Sequence, residues 1–234
     1  MFFYLSRVFL SDRHFFEDVC RIFVNTVAYD NRTIINGISL RISEKTTTAI
    51  AGPSGGGKTT LTNLIARFWD VKDGKVSLGG KDVREYSFDS LMKNFSYVFQ
   101  RVYLFEDTVA NNIRFGDPDA SMEKVIEAAK KTRCHDFIMN LPDGYDTVIG
   151  KGGASLSGGE KQRISIARAI MKDSPIVILD EATANVDPEN EAELTRAIEE
   201  LILILPRCID DLQASNTLYS RICGLFLVYT SVRN

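Results

Sequence analysis

The sequence predicts an α/β fold: a core sheet with flanking helices, an antiparallel β layer before it and a helical insertion within it. Three observations lead there. A β-branched, apolar run (Thr46–Ala51) feeds a glycine-rich turn and then a helical pattern. Two alternating, strand-like runs precede that turn, and the character changes to helix from Val102 to about Gly150.

Composition narrows the field. With 44% hydrophobic and 25% charged residues and 6 prolines in 234 residues, the chain is globular rather than disordered. A net charge of −3 gives no reason to expect nucleic-acid binding. Cys20, Cys134, Cys208 and Cys223 form no C-x-x-C pair, which favours reduced thiols over disulfides or a metal site. His14 and His135 are too few for a histidine-rich metal centre. No apolar run approaches the roughly 20 residues that span a bilayer. Arg7 interrupts the apolar start, and nothing frames it as a signal peptide.

Residues 1–24 carry no clear assignment. Arg21–Tyr29 alternates as an edge strand, Asp30-Asn31-Arg32 is its turn, and Ile34–Ile42 returns as a second strand. Tyr29, near a strand end, either stacks on a base or simply packs. The turn that follows the third strand is Gly52-Pro53-Ser54-Gly55-Gly56-Gly57-Lys58-Thr59, the P-loop pattern Gly-x-x-x-x-Gly-Lys-Thr. Its glycines let backbone N–H groups approach phosphate, and the dipole of the next helix favours negative charge there. Lys58 would reach the β- and γ-phosphates and Thr59 would ligate Mg²⁺. From Thr60 on, Leu61, Leu64, Ile65 and Phe68 share one helical face.

Asp73–Val83 reads as a short hairpin and Phe95–Phe99 as a buried strand ending at Gln100. A polar amide there can reach a metal or an attacking water, or be an ordinary loop residue. Ser121 suits the N-cap of Met122–Thr132, with Val125, Ile126 and Ala129 inward, and Pro142-Asp143-Gly144 makes a turn. Leu156-Ser157-Gly158-Gly159-Glu160-Lys161-Gln162-Arg163 opens a helix running to about Met171. Gly158-Gly159 is a second backbone anion site or an ordinary helix start capped by Ser157. Pro175–Glu181 is a buried strand ending in two carboxylates. Asp180 is suited to hold Mg²⁺ through water and Glu181 to take a proton from an attacking water, unless the pair is a solvated loop.

With that strand, the P-loop and Leu-Ser-Gly-Gly-Glu-Lys-Gln together, the sequence resembles the ATPase domain of an ATP-binding cassette (ABC) transporter of the exporter type. The match runs from about Tyr29 to about Leu203. The resemblance implies roles by position: Tyr29 stacks on adenine, and Gln100 senses the metal and couples to the membrane domain. Ser157 and Gly159, with Gly158 between them, bind the γ-phosphate held by an opposing domain, and Asp187 crosses the dimer interface. It also implies ATP and Mg²⁺, a second nucleotide-binding domain, identical or not, and a transmembrane domain that holds the chain at the cytoplasmic face of a membrane. The expected organisation is an N-terminal segment over 1–24, an ABC ATPase domain over 25–203 with a helical subdomain over about 102–171, and a divergent tail over 204–234.

Two departures stand out. Beyond Leu203 the family carries a strand ending in a histidine that contacts the γ-phosphate, and this tail has no histidine. So abrupt a loss of resemblance is what a shifted reading frame produces. The expectation is a fragment or frameshifted copy of a longer exporter, and the alternative function is nucleotide binding without effective hydrolysis, because that histidine and the last strands are missing. At Lys151 the family usually has a glutamate facing the membrane domain; the reversed charge either weakens docking or is a tolerated surface change.

Overall fold

The computed structural model describes residues 4–7, 18–29, 32–43, 47–53, 55–150, 155–180, 188–204 and 226–230. In chain order the first elements are β1 (Tyr4–Arg7), β2 (Asp18–Tyr29), β3 (Arg32–Ser43), β4 (Thr47–Ala51), α1 (Lys58–Ile65), β5 (Asp73–Leu78), β6 (Lys81–Asp82) and α2 (Phe88–Met92). There follow β7 (Phe95–Val98), β8 (Asp107–Thr108), α3 (Val109–Arg114), α4 (Met122–Lys131), α5 (His135–Met139) and β9 (Val148–Ile149). The last are α6 (Gly158–Lys172), β10 (Ile176–Asp180), α7 (Pro188–Ile204) and β11 (Phe226–Thr230). These fall into two compact units: Met1–Phe95 with Pro175–Asp180 and Pro206–Asn234, and Ser96–Ser174 with Glu181–Leu205.

In the first unit the antiparallel layer has the order β3-β2-β5-β6. Cys20, Ile22 and Val24 point inward and alternate with exposed Arg21 and Phe23, the period that buries one face of a strand. This corrects the edge-strand reading of Arg21–Tyr29: β5 pairs along the free side of β2, with Ile22 opposite Val76, so β2 is interior. Alternation reports which face is buried and says nothing about how many neighbours a strand has.

The other sheet of this unit contains β1-β4-β11-β10, and Ile176 N–H donates to Asn94 O (3.1 Å) where the chain enters β7. β11 is antiparallel to both β4 and β10, so those two strands run parallel with one strand between them. Their C-terminal ends share an edge. Leu61, Leu64 and Ile65 of α1 are buried, but Phe68 is 38% exposed. The helix stops at Ile65 and Arg67 takes a left-handed φ of 56°, which takes Phe68 off the face that the helical period gave it.

The second unit buries Val109, Ile113, Val125, Ala129, Cys134, Ile138, Ile149, Leu156, Ile164 and Ala167 in one apolar cluster from α3, α4, α5, β9 and α6 and the turns between them. Ser121 is the N-cap residue of α4, and Ile126 packs against the cluster partly buried.

Candidate functional site

In the first unit, β4 delivers the chain into the glycine-rich turn. Gly56 N–H donates to Pro53 O (3.0 Å), and Gly57 takes a φ of 86° as the residue before α1. A Cβ at Gly56 would lie 2.8 Å from Pro53 O, closer than backbone tolerates, and one at Gly57 would press on Ile34 Cγ2 at 3.0 Å in a left-handed backbone that side chains rarely adopt. No side chain caps α1, and its first backbone bond runs from Leu61 N–H to Gly57 O (2.9 Å). The amides of Lys58, Thr59 and Thr60 therefore have no acceptor within the helix. Lys58 is 4% exposed, and its ammonium donates to Gly52 O (2.9 Å) and Pro53 O (3.1 Å), placing a cation across the turn. Thr59 is exposed, and its carbonyl accepts from Thr62 Oγ1 (3.0 Å). Amides without a helical acceptor, a cation and glycines in the turn make a cradle for an anion of phosphate size.

β10 is buried throughout and ends in Asp180, 5% exposed. Phe226 of β11 lies in register with both Ile50 and Asp180. The first unit thus brings Asp180 to the edge at which the P-loop begins, two strand spacings away, or roughly 10 Å. An exposed threonine hydroxyl and a carboxylate are hard oxygen donors, a set that fits a Mg²⁺ bound mostly through substrate phosphates and water. Among the described residues no group of three or more His, Cys, Asp or Glu is assembled. Tyr29 closes the β2–β3 hairpin opposite Arg32, and Ile34, two residues on, is the side chain that touches Gly57. That end of the hairpin therefore reaches the cradle, a link through Ile34 that sequence reading missed.

The second unit assembles the other anion-facing turn. Ser157 caps α6 in a reciprocal capping box: Ser157 Oγ accepts from Glu160 N–H (3.2 Å), and Ser157 N–H donates to Glu160 Oε2 (2.7 Å). Its hydroxyl proton stays available to an outside acceptor. The first backbone bond of α6 runs from Lys161 N–H to Ser157 O (3.1 Å), leaving the amides of Gly158 and Gly159 without a helical acceptor. Gly158 is exposed and Gly159 buried. Gln100, just past β7, is exposed, and Phe99 O beside it accepts from Gln162 Nε2 (3.2 Å). Asn112 and Arg168 were not singled out by sequence, and Gln162 entered it as the last residue of the Leu-Ser-Gly-Gly-Glu-Lys-Gln run without a role of its own; the available signal was polar residues within otherwise apolar helical faces. Burial pushes the thiols of Cys20 and Cys134 up to about 12, so neither supplies a thiolate near neutral pH. Ser54, Lys151, Glu181 and Asp187 lie outside the described residues.

Comparison with known proteins gives a consistent pattern. A family model described as ABC transporter matches residues 35–184. An ATP-dependent lipid A-core flippase of Syntrophus aciditrophicus is 51% identical over 175 residues, 75% of this chain and 29% of the flippase. A putative multidrug export ATP-binding/permease protein of Bacillus subtilis is 46% identical, over 74% of this chain and 30% of its own length. A mycobactin import ATP-binding/permease protein of Mycolicibacterium smegmatis is 48% identical, over 75% of this chain and 21% of its own. Among solved structures, a bacterial Atm1-family ABC exporter with ATP bound superposes with a TM-score of 0.69 at 36% identity, over 79% of this chain and 33% of that one. The chain thus spans less than a third of the length of these curated relatives.

Proposed function

The chain belongs to the ABC transporter family, and on that premise we propose that it is the ATP-binding part of an exporter, hydrolysing Mg-ATP to drive transport. ATPase activity is the family's property. What supports the reading for this chain is the cradle between Gly52 and Thr60, with Lys58 folded across it and Asp180 at the same sheet edge. In this reading residues 25–203 form the ATPase domain, with the helical subdomain over about 102–171, and 204–234 a divergent tail.

The amides of Lys58, Thr59 and Thr60 and the Lys58 ammonium hold the β- and γ-phosphates, in the turn that Gly52 to Gly57 shape. Tyr29 takes the adenine, and Thr59, Asp180 and Gln100 hold the metal side. Bound Mg²⁺ offsets the negative charge that develops on the phosphoryl oxygens. Glu181 accepts the proton of the attacking water. A single P-loop leaves the far side of the γ-phosphate open. Ser157, Gly158 and Gly159 of a second such domain, identical or not, close it, with Asp187 at the shared interface. The membrane domain supplies the path for cargo and holds the chain at the cytoplasmic face. No helix of the described residues is long and apolar enough to cross a membrane. Relatives named for a lipid flippase, a drug exporter and a mycobactin importer match nearly the same share of this chain at similar identity. The matched segment is therefore an engine, and cargo is selected elsewhere.

One observation favours a second reading, nucleotide binding without effective turnover. β11 runs antiparallel between β4 and β10, with Thr230 opposite Ile176 at the end of β10 away from Asp180. The C-terminal end of β11 therefore lies at the sheet edge away from Asp180 and the P-loop, whereas a strand-end histidine that contacts phosphate has to stand at theirs. Steady-state Mg-ATP turnover by the purified chain decides between the two, with Glu181→Gln as control. Turnover lost in Glu181→Gln supports the ATPase. Saturable binding with no turnover in either form supports the second reading.

A further inference from the structure

A polar network in the second unit remains unexplained by phosphate chemistry or by core packing. Arg168 of α6 donates from Nε to Asn112 O (2.6 Å), from Nη2 to Asn112 Oδ1 (2.5 Å) and from Nη1 to Tyr103 O (2.6 Å). Asn112 is 1% exposed and closes the same loop: Oδ1 accepts from Phe105 N–H (2.9 Å). Its Nδ2 donates to the carbonyls of Phe105 (3.0 Å), Asp107 (3.2 Å) and Thr108 (3.0 Å). The guanidinium carbon lies 5.4 Å and 5.9 Å from the ring centres of Phe105 and Phe115. Nearly two turns earlier on α6, Gln162, 3% exposed, donates to Phe99 O.

These bonds share a geometry. One helix, whose first turn carries Ser157, Gly158 and Gly159, grips the backbone on both sides of Gln100: at Phe99 before it and at Tyr103 after it. Phe99, Gln100, Arg101 and Tyr103 are themselves exposed, and Leu104, which packs partly buried against the apolar cluster, is the stretch's own apolar anchor beyond them, so little apolar burial fixes the residues around Gln100. Charge-assisted bonds from a partly buried guanidinium are the stronger kind, and burial pulls the Arg168 pKa down to about 10, so its carbonyl partners also offset its own desolvation.

We propose that Gln162 and Arg168 are positioning residues for Gln100, fastening residues 99–105 to α6 so that Gln100 and the Ser157-Gly158-Gly159 turn shift as one body. The proposal rests on the reading of Gln100 as a metal-side residue. A purely structural staple would stabilise the same loop without acting through Gln100, and the two separate experimentally.

The experiment uses the full chain as wild type, Gln162→Ala, Arg168→Lys and Gln100→Ala, with each brace variant also combined with Gln100→Ala. Amide hydrogen exchange is followed without nucleotide, and ATP binding is titrated with Mg²⁺. Gln162→Ala and Arg168→Lys are expected to speed exchange over 99–105 about tenfold, the effect of one lost hydrogen bond, with α1 and β10 unchanged. Each is also expected to raise the Mg²⁺ needed for half-maximal ATP binding, and to have no such effect once Gln100 is alanine. Unchanged exchange over 99–105 overturns the proposal, as does a Mg²⁺ shift of equal size in the Gln100→Ala background. If Gln100→Ala alone leaves the Mg²⁺ requirement unchanged, the reading of Gln100 fails and the proposal falls with it. A Gln100 effect without any from Gln162 or Arg168 overturns the proposal alone.

Discussion

Gly116 lies against the backbone of α6. A Cβ placed there would meet Arg168 O at 2.2 Å and Met171 Cβ at 2.8 Å. Gly116→Ala must therefore push the end of α3 away from α6, at a cost of about 1–3 kcal/mol, the usual range for overpacking. The urea midpoint should fall accordingly, while a substitution at exposed Asp119 should leave it in place. The buried thiols give a second residue-scale outcome. Burial raises both from 9.0 to about 12, so the folded chain holds these protons more tightly than the unfolded one. That contribution is complete below pH 9 and is lost as pH rises from 9 toward 12. In urea titrations at increasing pH, wild type should lose stability relative to Cys134→Ala across that window. Parallel stability curves would contradict the burial of Cys134.

At the scale of elements, the least anticipated feature is β11. It fills the slot between β4 and β10, pairing Val228 with Thr48 on one side and Ile178 on the other. A proline there removes a ladder donor from an interior strand, where proline is not tolerated. Val228→Pro should lower the thermal midpoint and loosen hydrogen exchange in β4 and β10 together; loosening in neither would mean that the strand is not part of the sheet. The apolar run Phe226–Thr230 was visible in the sequence, but its pairing was not. A five-residue apolar strand fits between two others in either direction, and only long-range register decides. The P-loop and the start of α6 were legible because glycine, lysine and a capping serine act through local backbone chemistry. For the same reason the interior place of β2 and the exposure of Phe68 were not: one depends on a distant partner strand, the other on the turn at Arg67.

For the whole molecule, each of the two units carries anion-binding groups of its own. The first holds a cradle with a cation and a carboxylate at one sheet edge, the second a capped helix start whose first amides have no helical acceptor. The measurement that tests this account most directly is equilibrium binding of Mg-ATP to the purified chain and to Lys58→Ala. Saturable binding weakened about a hundredfold or more in the variant is expected, since the lost contacts are charge-assisted hydrogen bonds to phosphate. Equal affinity in the two proteins, or no saturable binding by the wild type, would contradict it.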